Sequence, residues 1–419
     1  MHNFHVKNTV RYYVILVIFL AFFFFSNGFG LIDVQKTAIV IAAGIDREDD
    51  TFILTSQIAI PQASKQGKNT EAVQIVSRGK TVSDAFEEIN AKTGWYPKLV
   101  FCNLILLGED AAKENVFEAL DFFLRDEYLT DNCLVATCDG YAKDLLNTTA
   151  LVDSSSSLAM QKVLSAHAER VGTVLPSTLR EFSIGYFSDS KSGYLPILKK
   201  EPQQEQVGEN PQSGGQSQGG QSQGGQTGQE QGGGQSQQSQ SGGQTAKPED
   251  KPVFSAGETA LFVNGKRVGK LSTEETFALS TVLSKLRLAS YSVERGDTAC
   301  TLTVKQNGQK LKLKASENEN FTLNINLTLT AGISDISKAQ PIEQLSDAGN
   351  VPKEFFTLAE KKLASEVQTV FEKCKAVGCD LFGVRERLLK YEKHRFRDLQ
   401  AIVLERTRAE ISVRFRDIR

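Results

Sequence analysis

Apolar and polar positions alternate along several segments of the chain, and this period of two predicts β-strands. The runs TAIVIAAGID and TFILTSQIAI are joined by the acidic turn REDD, which predicts a hairpin. Near the C-terminus, NFTLNINLTLTAGI places apolar side chains on one face and Thr or Asn on the other. We therefore expect a sheet with one face on a core. AEISVRFRDI predicts a last strand.

Other segments carry the start and stop signals of helices. Thr81 and Asp84 have the spacing of a capping box in TVSDAFEEIN, and Ser272 and Glu275 repeat it before TFALSTVLSKL. A long helix is predicted from about residue 352 to 378, because proline favours the first turn and glycine the end of a helix. Strands that alternate with helices predict an α+β protein of mixed α/β layers.

Three further segments are predicted to form strands. KLVFCNLILLG is predicted to be one buried strand. CTLTVKQNGQKLKLK is predicted to be a hairpin that turns at Asn307 and Gly308, and FSAGETALFVNGKRVGKL one that turns at Asn264 and Gly265.

A Gln/Gly/Ser-rich tract interrupts this order. GGQSQGGQSQGGQTGQEQGGGQSQQSQSGGQ offers no apolar side chain that could offset the entropy of ordering, so the tract is predicted to be disordered. The strand-like flanks favour a long loop projecting from one folded unit, and a linker between independent domains remains the alternative. The predicted division is 1–11 cytoplasmic tail, 12–32 signal anchor or signal peptide, 33–200 N-terminal α/β domain, 201–252 disordered insertion and 253–419 C-terminal α/β domain.

The N-terminal part of the chain is predicted to contact a membrane. Residues Tyr12 to Phe25 contain no charged side chain, and Lys7 and Arg11 precede them, which predicts a cytoplasmic N-terminus and an extracytoplasmic bulk. The run is about 14 residues, short of the ~20 that a span needs, but residues 28–32 extend it. A cleaved signal and an uncleaved anchor both remain open. The residues assigned to the membrane segment are Val14, Ile15, Leu16, Phe19, Leu20 and Phe25.

Composition and motifs argue against nucleic-acid binding and catalysis. The 419 residues carry a net charge of −2, without the excess of Lys and Arg typical of a nucleic-acid binder. SRGKT lacks the first glycine of a phosphate-binding loop, because Gln74 stands there, and no GxSxG occurs. The carboxylates of GIDREDD, Asp46 among them, are interpreted as a solvated turn. The six cysteines are interpreted as buried apolar residues, so we expect no enzyme, metal or cofactor.

Several dispersed motifs resemble one family, the C subunits of bacterial spore germinant receptors, Ger(x)C. The similar passages are LIDVQKTAIVIAAGID, GKTVSDAFEEI, KLVFCNLILLGEDAAKENVFEALDFFLRD, GETALFVNGKRVGKLSTEET and VQTVFEKCKAVGCDLFGVRERL. The family begins with a lipidated cysteine and a Trp-Asp pair. Here Gly28 to Leu31 contain no cysteine, the first thiol is Cys102, and Ile32 replaces the tryptophan. Thioether lipidation is therefore excluded at this site, which favours the uncleaved anchor.

The resemblance implies a non-catalytic, membrane-attached subunit on the outer face of the spore inner membrane. Its implied partners are the integral membrane A- and B-type receptor subunits, and it implies a multidomain mixed α/β fold. A stand-alone extracytoplasmic binding or scaffold module is the alternative. The family signature residues are Asp33, Gly44, Asp46, Asp380, Phe382 and Gly383.

Overall fold

The structure is a computed structural model. It describes residues 11–20, 37–59, 72–148, 153, 155–165, 172–201, 253–315, 319–337 and 353–417. The predictions for residues 1–10, for Phe25 and Asp33, and for the tract 202–252 lie outside these ranges.

Among the described residues, nine strands form a first, mixed sheet and four form a second. The first sheet contains β1 (Thr37–Glu48), β2 (Thr51–Ala59), β3 (Ala72–Gly79), β4 (Tyr96–Lys98), β5 (Leu104–Leu107), β6 (Leu134–Cys138), β7 (Ser192–Glu201), β8 (Val253–Val263) and β9 (Lys266–Leu271). The second contains β10 (Ala289–Arg295), β11 (Thr298–Ala315), β12 (Phe321–Ile336) and β13 (Thr407–Asp417).

Helices connect and cover the strands. They are α1 (residues 11–20), α2 (Val82–Thr93), α3 (Glu109–Lys113), α4 (Phe117–Arg125), α5 (Ala142–Leu146), α6 (Ser156–Leu164), α7 (Leu179–Phe187), α8 (Thr273–Val282), α9 (Lys353–Ala376), α10 (Val384–Tyr391) and α11 (Phe396–Leu399). The predicted α+β class is confirmed.

The first sheet has a parallel centre and antiparallel margins. Its order is β3-β2-β1-β5-β6-β7-β8-β9, and β4 pairs with the beginning of β1. The central strands run parallel to one another; they are β1, β5, β6 and β7. On one side, β2 pairs antiparallel with β1, and β3 pairs antiparallel with β2. On the other side, β8 pairs antiparallel with β7, and β9 pairs antiparallel with β8. Each parallel connection needs a crossover, and helices supply them.

The strands that flank the Gln/Gly/Ser-rich tract are neighbours in this sheet. Strands β7 and β8 pair antiparallel, with Glu201 opposite Val253. Asn264 and Gly265 have φ values of +50° and +77° in the tight turn to β9, which confirms the hairpin predicted there. The first sheet therefore includes strands from both sides of the tract, while the predicted division into domains stays a prediction.

The second sheet corrects one predicted hairpin. Strand β11 continues without a turn through Asn307 and Gly308, and it pairs with β12 on both sides of them. A register shift between Gln306 and Gly308 shows that the Asn-Gly pair forms a bulge. Long-range pairing with β12 satisfies the backbone of the whole strand, so the local turn signal does not decide the structure. Strand β13 then pairs parallel with β12.

A second correction concerns KLVFCNLILLG, which is two strands. Strand β4 ends at Lys98 and β5 begins at Leu104. Between them the backbone N–H of Cys102 donates to the carbonyl of Leu99 at 2.8 Å, which closes a turn. Leu99 and Cys102 are nevertheless buried, so the apolar pattern reports burial here rather than a continuous strand.

The predicted caps and apolar stripes are confirmed. The Thr81 hydroxyl accepts from the Asp84 N–H at 3.1 Å, and the Asp84 carboxylate accepts from the Thr81 N–H at 3.2 Å. Ser272 and Glu275 do the same at the start of α8. Helix α9 packs a buried stripe on the second sheet, whose inner positions are also buried; the stripe contains Leu363, Val367, Val370, Phe371 and Cys374.

Candidate functional site

The described part of the apolar N-terminal segment is a helix that projects its side chains into solvent. Five of the assigned membrane residues lie in α1, and they are between 45% and 70% exposed: Val14, Ile15, Leu16, Phe19 and Leu20. Within the described ranges, no helix combines the length and apolarity needed to cross a bilayer. A membrane span is thus not shown.

Asp46, which the resemblance assigns to the family signature, caps the start of helix α5. One oxygen of its carboxylate accepts from the backbone N–H of Ala142 at 2.7 Å, and the other accepts from the N–H of Lys143 at 3.0 Å. These two donors have no partner within a helix that begins at Ala142. Asp46 lies at the carboxyl end of β1 and is only 2% exposed, so the predicted solvated turn is wrong at this position.

The surroundings of Asp46 are polar but closed to solvent. Burial raises the pKa of the Asp46 carboxyl, although the two backbone N–H groups act in the opposite direction. At Gly108, a Cβ would lie 2.0 Å from Oδ1 of Asp46, so only glycine fits there. The acidic side chains farther along the turn, Asp49 and Asp50, are exposed as predicted.

Gly44 lets helix α5 approach strand β1. A Cβ at this position would lie 2.6 Å from Cδ1 of Leu146 and 3.3 Å from Cβ of Ala142. Gly44 and Asp46 therefore act on the same helix, one through close packing and the other through hydrogen bonds.

The carboxylate of Asp380 likewise accepts hydrogen bonds at the start of a helix, here helix α10. Its two carboxylate oxygens accept from the N–H groups of Val384 and Arg385, each at 2.8 Å, at the start of α10. Its own N–H donates to the hydroxyl oxygen of Ser192 at 2.8 Å. Since Ser192 is the first residue of β7, this hydrogen bond connects the turn between α9 and α10 to the first sheet.

Phe382 and Gly383 complete this turn. The ring of Phe382 packs edge-on against Phe371 of helix α9, with ring centroids 5.1 Å apart. Gly383 has φ +64°, a left-handed conformation that glycine adopts without steric cost. Asp380, Phe382 and Gly383 thus form one buried helix-to-helix junction.

The described signature residues form two separate structural sites. Gly44 and Asp46 lie toward the carboxyl end of β1, whereas the Asp380 turn contacts the amino end of β7, and the two strands run parallel. The two sites therefore lie at opposite ends of the parallel strands of the first sheet. In each site, both carboxylate oxygens of the aspartate accept hydrogen bonds from backbone N–H groups. These hydrogen bonds give both carboxylates a structural role.

A cleft beside the β1–β2 turn is lined by side chains of both charges. It has a volume of about 960 Å³, and near it Arg47 contacts Glu118 at 2.7 Å and Lys113 contacts Glu109 at 2.9 Å. Across the described ranges, no group of three or more His, Cys, Asp or Glu side chains is arranged to hold a metal ion. The predictions of no metal, no cofactor and no catalysis stay predictions.

All six cysteines are buried thiols, which confirms their interpretation as core residues. A hydrogen bond with Cys102 and burial both raise the pKa of the Cys133 thiol, so it stays protonated. Burial raises the pKa of Cys138 as well, and its thiol contacts the carbonyl of Leu107 at 3.7 Å.

The fold defines a class, an α+β protein with one mixed sheet of nine strands and a second sheet of four strands among the described residues. Residues 31–200 match the family described as the spore germination protein N-terminal domain, and residues 257–415 match the spore germination B3/GerAC-like C-terminal family. The chain belongs to the Ger(x)C family of spore germination proteins.

Individual relatives agree with this assignment. The chain is 26% identical to spore germination protein A3 of Bacillus subtilis over 196 residues, which are 45% of this chain and 51% of that protein. It is 29% identical to spore germination protein B3 of the same organism over 119 residues, 27% of this chain and 31% of that protein. The matches thus span about half or less of these relatives.

A solved structure shows the same fold. The crystal structure of the GerBC protein superposes with a TM-score of 0.52 and 17% identity, covering 90% of this chain and 97% of that one. At this level of identity the match concerns the fold alone.

Proposed function

We propose that the chain is a membrane-attached, non-catalytic subunit of a nutrient germinant receptor that acts in spore germination. The observation that carries the proposal is the family match on both sides of the tract. The engaged carboxylates and the mixed-charge cleft agree with a subunit that binds partners rather than substrates. Its partners would be the integral membrane A- and B-type subunits of the receptor.

The exposed helix α1 supports attachment to the membrane. Its apolar side chains are solvated in the isolated chain, and burying one large aliphatic or aromatic side chain in hydrocarbon is favourable by about 1.5–3 kcal/mol. Lys7 and Arg11 precede the segment, which favours a cytoplasmic N-terminus; the two sheets would then lie on the extracytoplasmic face, in spores the outer face of the inner membrane.

The attachment is tested by extracting spore membranes with alkaline carbonate. We expect the full chain to stay in the membrane pellet, whereas Leu16→Asp combined with Phe19→Asp should move it to the soluble fraction. Leu16→Ala combined with Phe19→Leu is the matched control and should stay in the pellet. A soluble protein whose mature N-terminus lies near Leu31 would contradict an uncleaved anchor.

The receptor role is tested by affinity purification of the tagged chain from detergent-solubilised spore membranes. Mass spectrometry should find A- and B-type receptor subunits with the chain. Their absence from a preparation that retains the chain in membranes would contradict the receptor role and favour a stand-alone membrane module.

A further inference from the structure

An exposed group of aromatic and branched side chains lies near the start of strand β1. We name it the aromatic patch, and it consists of Val73, Trp95, Tyr96, Val100 and Phe101. These side chains are between 43% and 56% exposed. Single exposed apolar residues are common on proteins, but five that share one edge of a sheet require an explanation.

Strand register places the aromatic patch at one edge of the first sheet. Strand β4 runs parallel to β1 with Tyr96 opposite Thr37, the first residue of β1. The antiparallel strands β2 and β3 meet at the same edge, where Val73 pairs with Ile58. Trp95 precedes β4, and Phe101 lies in the turn that follows it.

A small apolar groove adjoins Trp95 at this edge. Its volume is about 210 Å³, and its lining has a threonine as the one polar residue among those described: Ala38, Ile58, Ala59, Val73, Ile75, Thr93 and Trp95. Because Ala38 is the second residue of β1, the groove borders the point where the N-terminal segment joins the fold.

We propose that the aromatic patch rests on the lipid bilayer interface beside the N-terminal membrane segment. The inference rests on the membrane attachment proposed above and adds the surface that faces the lipid. The predicted segment ends at Ile32, and residues 33–36 separate it from Thr37. A chain of that length spans at most ~18 Å, so the patch is held close to the headgroups.

The chemistry of the two edges fits this orientation. Trp and Tyr favour the headgroup region because each combines an apolar ring with a polar N–H or O–H group. The opposite edge of the sheet carries charged side chains of both signs, including Asp49, Asp50 and Lys113, which water solvates and hydrocarbon does not. The chain therefore presents its apolar edge to the membrane and its charged edge to water.

Trp95 is the only tryptophan of the chain, so its fluorescence reports on the patch directly. The full chain is reconstituted in vesicles of phosphatidylcholine and phosphatidylglycerol, and vesicle-bound protein is isolated by flotation. The phosphatidylcholine carries bromine either near the carbonyl end or near the methyl end of its acyl chains. We expect roughly a twofold loss of Trp95 emission with bromine near the carbonyl end, and a smaller loss near the methyl end.

Two variants separate docking from mere proximity. Phe101→Ser should reduce the quenching, whereas Tyr391→Ser, which changes an exposed aromatic residue at the end of helix α10, should leave it unchanged. Moving the probe by Trp95→Phe combined with Tyr391→Trp should abolish the quenching. Circular dichroism checks that each variant remains folded.

The flotation and quenching results test the docking of the patch separately from the attachment of the chain. Protein that floats with the vesicles but shows no bromine quenching overturns the docking inference and leaves the attachment intact. Trp95 that is shielded from aqueous acrylamide but not quenched by bromine also overturns it, because a protein then covers the patch. Protein that does not float overturns both the attachment and the docking.

Discussion

Replacing Asp380 with alanine should destabilise the protein more than the loss of an ordinary helix cap. The carboxylate is 2% exposed, and it accepts two backbone N–H groups at 2.8 Å. Leaving one buried donor unpaired costs about 1–3 kcal/mol, and the second donor, the N–H of Arg385, is only partly buried, so Asp380→Ala should lose about 2–4 kcal/mol of unfolding free energy. Asp380→Asn keeps one acceptor oxygen and should lose about half as much.

Urea unfolding measures these losses with two probes. Far-UV circular dichroism reports on the whole chain, and Trp95 fluorescence reports on the first sheet. Asp84→Ala, which removes the exposed carboxylate of the α2 capping box and leaves the Thr81 N-cap, is the matched control with an expected loss of about 0.5–1 kcal/mol. An Asp380→Ala loss no larger than that of the control would refute the role assigned to the buried carboxylate.

The Trp95 transition also tests the link between the two parts of the chain. Asp380→Ala keeps the backbone N–H that donates to Ser192 on β7 but removes the carboxylate bonds that hold this N–H in position, so it should lower the urea midpoint seen by Trp95 as well as that seen by circular dichroism. An unchanged Trp95 transition would show that the turn does not stabilise the first sheet.

Three further predictions concern other features of the fold. Burial raises the pKa of Asp46, so the native state binds this proton more tightly than the unfolded chain, and the stability it confers is gained as pH falls through the native pKa and lost as pH rises. The unfolding free energy of the wild type relative to Asp46→Asn should accordingly increase as pH is lowered from neutral in urea titrations. Gly44→Ala places a Cβ 2.6 Å from Leu146 and should cost about 1–3 kcal/mol, whereas Gly269→Ala, whose nearest neighbour is at 3.8 Å, should cost less in the same thermal melts. Replacing residues 202–252 with a turn of about four residues should keep or raise the melting temperature, since the shorter loop lowers the closure entropy by ~2 kcal/mol, and a lower melting temperature would contradict the β7–β8 pairing.

Local sequence signals predict much of the secondary structure correctly. The turn at Asn264 and Gly265 forms as predicted, because both residues tolerate the positive φ that a two-residue hairpin requires. The alternation in β12 also holds, since Leu323 and Ile325 face the core while Thr322 and Asn324 do not. In these elements the short-range preference and the tertiary packing agree.

The failures occur where a distant strand or helix decides the structure. Asn307 and Gly308 carry the same turn signal as the confirmed hairpin, yet pairing with β12 keeps them in one bulged strand. The strand order of the first sheet likewise depends on long-range pairing, which local patterns do not encode.

The function of Asp46 could not be inferred from its neighbours in sequence, since its partners lie 96 and 97 residues away. One signal was available: Asp46 follows directly on a long apolar run, and a carboxylate that continues a buried strand needs hydrogen-bond donors. The carboxylate of Asp380 instead caps a helix start four residues away, and only its backbone N–H reaches a remote strand, at Ser192. Both aspartates thus act in folding, because each one lies at a contact between a helix start and a strand that is remote in sequence. If receptor assembly depends on them, it does so through the shape that they maintain, whereas the surfaces open to a partner or a membrane are exposed ones such as helix α1 and the aromatic patch.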